Sequence, residues 1–288
     1  MLIIAFILSG IVAYLLGSLN FSIIIVKAVA HFDIREKGSR NAGSTNVLRT
    51  VGTKTAAVTL LLDFSKAIIA GGFTILFFYL LTKSQYQSDL TTYGLCVTSL
   101  LCVLGHMFPV FFKFKGGKGV ATYAGSLMLL HPILVVISLV VFAIIVAVSK
   151  KASLGSMLSC LNYLVAYIVY TAIFKEFNVF FAIEFSLSAL TALIVILKHR
   201  DNIKRLIKGK ESSVIVKSKN RNTENAEIDI NEIKTIDTLS DIQSDIQDNS
   251  DTNYSKNDDN NKSDGDNKRR DVSPSAALNS ENDKATEE

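Results

Sequence analysis

Long apolar runs alternate with short polar stretches over residues 1–211, after which the apolar runs stop. A helix crossing the hydrocarbon core needs about 20 mostly apolar residues, so such runs can be counted. They fall at Leu2 to Val26, Thr55 to Leu81, Thr92 to Val110, Val120 to Leu130, Ile133 to Val148, Leu154 to Phe174 and Val179 to Leu197. The fourth is too short to cross alone. Either Val120 to Val148 is one tilted helix and the chain has six spans, or the chain bends at His131-Pro132 and has seven, two of them short.

Loop charge separates the two readings, because Lys and Arg collect in cytoplasmic loops. With seven spans, one side receives Arg35, Lys37, Arg40, Arg49 and Lys54, then Lys113, Lys115 and Lys118, then Lys150 and Lys151, then the basic stretch Lys198 to Lys210. The other side keeps only Lys83 and Lys175. Six spans would send Lys150, Lys151 and the last basic stretch outside and remove most of that bias. The expected fold is therefore an all-α integral membrane protein with seven transmembrane helices, the N-terminus outside and the C-terminus cytosolic. Met1-Leu2-Ile3-Ile4-Ala5 lacks the basic region of a cleavable signal, so Leu2 onward is taken as a retained span.

Composition adds a second division. Residues 1–211 carry 20 Lys/Arg against 8 Asp/Glu, and residues 212–288 carry 10 against 18, so the total of +4 describes neither part. The second part, as in Asn257-Asp258-Asp259-Asn260-Asn261-Lys262, is too polar to offset its ordering entropy, and a disordered, acidic cytosolic tail is expected. Within it Ile233, Ile236, Leu239, Ile242 and Ile246 recur at helical spacing, read as a transient helix. Cys96, Cys102 and Cys160 lie in apolar runs with no metal-ligand spacing and read as small buried hydrophobes. The basic residues lie in loops between spans, and no nucleic-acid partner is expected.

Three polar stretches carry the chemistry. The first, Gly38-Ser39-Arg40-Asn41-Ala42-Gly43-Ser44-Thr45-Asn46-Val47-Leu48-Arg49, suits a phosphate: glycines turn backbone N–H groups onto an anion, and Arg49 can grip its oxygens through two bonds. It is not a Walker A loop, since Ser44 stands where the lysine belongs. The second is Gly105-His106-Met107-Phe108-Pro109 followed by Phe114-Lys115-Gly116-Gly117-Lys118-Gly119-Val120-Ala121-Thr122. Glycines at a helix start permit close backbone approach and aim the positive helix end at a ligand, to which Lys118 adds a full charge. His106 is assigned to hydrogen bonding at a helix end. In the third, Lys198 to Glu211, His199 and Asn202 share a face of a helical extension, which an orientation signal does not require. The seven-span topology puts all three on one membrane face. Inside the spans, Asp63 and Lys66 at i, i+3 read as an internal ion pair, and Asn20 as a helix-packing or snorkelling residue.

These motifs in this order resemble the acyl-phosphate:glycerol-3-phosphate acyltransferase family of bacterial inner membranes. They are Gly-Ser-x-Asn-x-Gly-x-Thr-Asn-x-x-Arg at 38–49, Gly-His-x-x-Pro with Phe-Lys-Gly-Gly-Lys-Gly-Val-Ala-Thr within 105–122, and His-Arg-x-Asn-Ile-x-Arg-Leu-x-x-Gly-x-Glu at 199–211. The resemblance covers about residues 1–211 and implies an enzyme that moves a fatty acyl group from acyl phosphate to the sn-1 hydroxyl of glycerol 3-phosphate. It implies Ser39, Arg49, Lys118, His199 and Asn202 as catalytic residues and Asn41, Thr45, Asn46, Gly116, Gly117 and Gly119 as substrate-binding ones, with Glu211 as a structural support. Ser44 departs from the family's usual alanine, and Asn20 from its common proline. The family's proposed mechanism lets the donor phosphate accept the hydroxyl proton while His199 and Asn202 orient the acceptor, and a general-base role for His199 is the competing version. Acyl phosphate is already activated, so no cofactor, metal or covalent intermediate is expected.

Two other classes fit poorly. No histidine is followed by an aspartate five residues on, which disfavours the acyltransferases that depend on that pair, and no paired-aspartate motif of a CDP-alcohol phosphotransferase is present. A small anion carrier would explain Asp63, Lys66 and a basic loop, but its site would lie near the midplane between repeated halves. Here the polar groups gather at one face and no internal repeat is found.

Overall fold

Six candidate spans, each long and apolar enough to cross a bilayer, occur among the residues described by the computed structural model, 1–83 and 88–214. All their regular secondary structure is helical, with no strand among them. The expected amphipathic stretch from Ile233 to Ile246, and the tail beyond Val214, lie outside the described residues.

The first expected span is two helices, α1 (Leu2–Ser18) and α2 (Phe21–Ala30). Asn20 makes the break: its side chain accepts from the Ile23 amide at 3.2 Å, capping α2. Of its two expected roles the packing one holds and snorkelling is corrected, since Asn20 is wholly buried and its Nδ2 donates to the Ala42 carbonyl at 3.4 Å. The first polar stretch ends in a short helix, α3 (Ser44–Thr50), and α4 (Thr53–Thr82) and α5 (Asp89–Met107) follow. Val120 to Leu130 is only an eight-residue helix, α6 (Val120–Leu127), and α7 (Pro132–Ser149) starts afresh at the expected bend. Pro132 explains the restart, because proline suits the first turn of a helix and not its interior. Helices α8 (Ala152–Phe174), α9 (Val179–Lys198) and α10 (Arg200–Ile207) complete the order.

Helix α1 packs on α4 and α5, α4 on α6, α7 on α8, and α5 on α9. Helices α1 and α5 approach closely. A Cβ on Gly17 would stand 2.2 Å from the Cys102 carbonyl oxygen, and one on Gly105 2.3 Å from that of Tyr14. Small residues permit such backbone contact where lipid gives no hydrophobic drive for helix association. Outward side chains such as Ile3, Ile7 and Ile11 of α1 and Ile133, Val140 and Val148 of α7 are exposed, as lipid-facing surfaces require. Cys96, Cys102 and Cys160 are buried free thiols, as expected.

Candidate active site

The first polar stretch is shaped from within by Asn46. Its Oδ1 accepts from the Ser39 amide at 2.9 Å, while its Nδ2 donates to the carbonyls of Ile34 and Lys37 at 3.1 and 3.0 Å. Asn46 borders the cavity described below, yet its amide is spent on backbone, so it holds the loop rather than a ligand. Gly38 takes φ +60°, and a Cβ there would stand 2.3 Å from that same Oδ1. Ser39, Asn41, Thr45 and Arg49 are left on the cavity wall.

The second stretch lies against the end of α5. The amides of Gly116 and Gly117 donate to the carbonyls of Met107 and His106 at 3.2 and 3.1 Å. Added Cβ atoms would reach within 2.0 Å of the His106 carbonyl oxygen at Gly116, and within 2.2 Å of His106 Nε2 and 2.3 Å of the Ala42 carbonyl oxygen at Gly117. Neither glycine borders the cavity, although the resemblance implied substrate contact. They allow close packing that seats the loop against both His106 and the first stretch. Gly119, at φ +78°, caps α6, and Gly119, Val120 and Ala121 do border the cavity at the helix start. Arg35 ties the two stretches together: it pairs with Asp33 at 2.6 Å and donates to the carbonyls of Phe112 and Lys115 at 2.9 and 3.0 Å. That clamp was missed from sequence, since its partners are carbonyls nearly eighty residues away.

The third stretch closes the ring. Lys118 Nζ donates to Asn202 Oδ1, and Asn202 Nδ2 donates to Glu211 Oε1 at 2.6 Å. Glu211 also accepts from Ser153 Oγ at 2.7 Å and Arg205 Nε at 2.8 Å, and its carbonyl receives Lys151 Nζ. Burial raises the Glu211 carboxyl, but the bonds from Ser153, Arg205 and Asn202 outweigh it and hold the group below its ordinary value. Burial pushes the Lys118 ammonium down to about 8, against the opposing pull of Glu211. His199 Nδ1 lies 2.8 Å from the Val195 carbonyl and must be the donor, which leaves Nε2 as the acceptor of a neutral ring. Burial, and then the charge of Lys118, push His199 down to about 4. The Arg49 guanidinium donates to the carbonyls of Ser213 and Ser212 at 3.1 and 3.0 Å, and the Val214 amide donates to Lys150. Ser212 to Val214, assigned from sequence to the disordered tail, are thus bonded to the membrane domain.

Residues of all three stretches line one cavity of about 600 Å³. At one end stand Ser39, Asn41, Thr45, Arg49, Lys118, His199, Asn202 and Glu211; the rest of the wall is largely apolar, with Leu60, Leu61, Phe64, Leu127, Leu139 and Phe142 among its residues. A phosphate and a fatty chain would both find their solvent there. Asp63 and His106 also border it. The expected Asp63–Lys66 pair is present at 2.8 Å and buried, and Lys66 Nζ further reaches the carbonyls of Gly17 and Leu19 at 2.9 and 2.8 Å and His106 Nδ1 at 3.0 Å. The pair therefore fixes the α1–α2 break and the residue that Gly117 rests on, a role only the tertiary fold reveals.

Comparison with known proteins agrees with this arrangement. Residues 7–209 match the family model described as glycerol-3-phosphate acyltransferase. A glycerol-3-phosphate acyltransferase of Finegoldia magna is 40% identical over 208 residues, 72% of this chain and 96% of the relative. One from Clostridioides difficile is 35% identical over 218 residues, 74% of this chain and 97% of the relative. Crystal structures of PlsY (YgiH), an integral membrane glycerol 3-phosphate acyltransferase, are also similar. The glycerol 3-phosphate form has a TM-score of 0.59 at 33% identity over 72% of this chain and 94% of that one. The lysophosphatidic acid form has the same score and coverage at 32% identity. On the family match and these relatives, the chain belongs to the glycerol-3-phosphate acyltransferase family.

Proposed function

We propose that the chain transfers a fatty acyl group from acyl phosphate to the sn-1 hydroxyl of glycerol 3-phosphate, releasing lysophosphatidic acid and inorganic phosphate, the first step of phospholipid synthesis. The observation that carries this reading is the single cavity, with cations and hydroxyls at one end and apolar walls along the rest. Two phosphates must come close together, and Arg49 and Lys118, aided by amides at the α6 start, offset their repulsion. Ser39, Asn41 and Thr45 add neutral donors to the same end.

The hydroxyl oxygen forms the new ester bond at the acyl carbonyl carbon, the carbonyl-to-phosphate bond breaks, and phosphate leaves with the hydroxyl proton. His199, neutral with Nε2 free to accept, orients that hydroxyl, and Asn202 positions Lys118. A ring with a pKa depressed to about 4 is a poor proton acceptor at neutral pH, which favours orientation over general-base work in the free site. Asn46, Gly116 and Gly117 support the binding loops. The proposed setting is a bacterial inner membrane, crossed seven times if α6 and its flanking turn re-enter as a short span, with the site on the cytosolic face. Loop charge supports that orientation.

The test is to incubate purified protein in lipid with labelled glycerol 3-phosphate and either palmitoyl phosphate or palmitoyl-CoA, and to determine which position is acylated. Labelled sn-1 lysophosphatidic acid from the phosphate alone is expected. Product from the thioester but not the phosphate would overturn the donor assignment.

A further inference from the structure

The far end of the cavity holds a buried polar cluster that the reaction does not use. On α8 the wall runs through Ser153, Ser156, Cys160 and Tyr163, one helix face, and stops there. Ser153 marks the phosphate end, through its bond to Glu211. Ten residues at 1.5 Å each put Tyr163 about 15 Å deeper, the length of roughly a dozen methylenes. The lining also stops at Leu127 of α6, and at Val135, one turn into α7. Three helices thus close the cavity at one level, and the buried Tyr163 ring fills that level, edge-on to Tyr123 with centroids 6.2 Å apart.

Tyr163 is fixed from behind. Its hydroxyl lies 3.0 Å from His131 Nδ1, in the turn between α6 and α7. His131 Nε2 faces Glu184 Oε1 of α9 at 3.5 Å, and its ring lies 4.5 Å from that of Tyr167. A histidine, a glutamate and tyrosine hydroxyls are costly in an otherwise apolar layer unless they hold one another. Here the hydrogen bond between His131 and Tyr163 holds one aromatic ring in place across the cavity, while the 3.5 Å approach of Glu184 Oε1 adds no hydrogen bond.

Resting on the reaction proposed above, we infer that Tyr163, pinned by His131, is the floor of the acyl site and sets the longest chain it accepts. The side chain spans about 6 Å from its Cβ, so its removal opens room for roughly four methylenes. Phenylalanine at one turn above, in place of Cys160, takes room away.

The test measures kcat/KM for lauroyl, myristoyl, palmitoyl and stearoyl phosphate at saturating glycerol 3-phosphate, with the full chain in lipid. The wild type should fall about tenfold or more at a definite chain length, because each methylene refused burial forfeits its transfer free energy. Tyr163→Ala should move that fall to longer donors, and Cys160→Phe to shorter ones, a shift that general destabilisation cannot produce in both directions. Tyr163→Phe keeps the ring but gives up the His131 bond, so the fall should stay at the same chain length and become shallower. If the wild type uses none of these donors, the reaction itself is wrong and the gauge falls with it. If the wild type uses them but shows no fall, or both variants fall where it does, the reaction stands and the gauge is overturned.

Discussion

Replacing Glu211 separates two functions of one buried carboxylate. Its side chain is 5% exposed and receives Ser153, Asn202 and Arg205. Glu211→Ala leaves the first two donors buried without an acceptor, at about 1–3 kcal/mol each. Arg205 is 41% exposed and can turn to water, so its loss adds little. The expected cost is about 2–6 kcal/mol, which lowers a thermal midpoint by roughly 4–24 °C. Glu211→Gln behaves differently. Its Oε1 still accepts from Ser153 and Asn202, and only the tolerant Arg205 side meets the new amide, so most of the stability survives. What the glutamine loses is charge. Glu211 supports the Lys118 cation, so without it the Lys118 pKa moves below about 8. The cation needed for phosphate is then lost as pH rises through a lower value, and the alkaline fall in kcat/KM for glycerol 3-phosphate, which reports the free enzyme, shifts to lower pH. Thermal unfolding in detergent and a pH–rate profile, on both variants, read the two effects separately. A glutamine variant as unstable as the alanine one, or one whose alkaline limb stays with the wild type, would refute this account of Glu211.

Lys118→Arg keeps its charge at any working pH, so whatever activity the longer side chain permits should persist above pH 8 where the wild type declines; a pH–rate profile checks it. Gly117→Ala places a methyl 2.2 Å from His106 Nε2 and 2.3 Å from the Ala42 carbonyl oxygen, forcing the loop back by about 1 Å and costing about 100-fold in kcat/KM. Gly72→Ala, with nothing within 4 Å of the added Cβ, should leave kcat/KM unchanged. Lys66→Met leaves Asp63 buried with only His106 Nδ1, at 3.4 Å, beside it, an expected loss of about 3–5 kcal/mol that Asp63→Asn in the same chain should partly restore; denaturant unfolding in detergent measures both.

The polar residues that line one end of the cavity were legible because glycines, hydroxyls and cations are conspicuous between apolar runs, and loop charge led to the expectation that the three stretches meet. Six of the seven expected spans were legible for the same reason, the first of them with one break; Val120 to Leu130, expected as the short fourth span, is only an eight-residue helix. Leu2 to Val26 is apolar enough to pass for one helix, and what divides it is the Asn20 cap together with Lys66, which reaches the carbonyls of Gly17 and Leu19 from another helix. Sequence spacing carries no trace of a partner nearly fifty residues away. The same limit explains Arg35, whose targets are backbone carbonyls, and Gly116 and Gly117, whose composition fits a phosphate loop but whose Cβ positions are filled by neighbours. Glu211 was placed correctly as a support; its reach to Asn202, and through it to Lys118, needed the fold.

Under the proposed reaction both reactants occupy the cavity together and the acyl group passes directly between them. Initial velocities measured while acyl phosphate and glycerol 3-phosphate are varied against each other test this. Double-reciprocal lines that intersect are predicted, because a complex of the enzyme with both substrates precedes transfer. Parallel lines, with phosphate released before glycerol 3-phosphate binds, would contradict it.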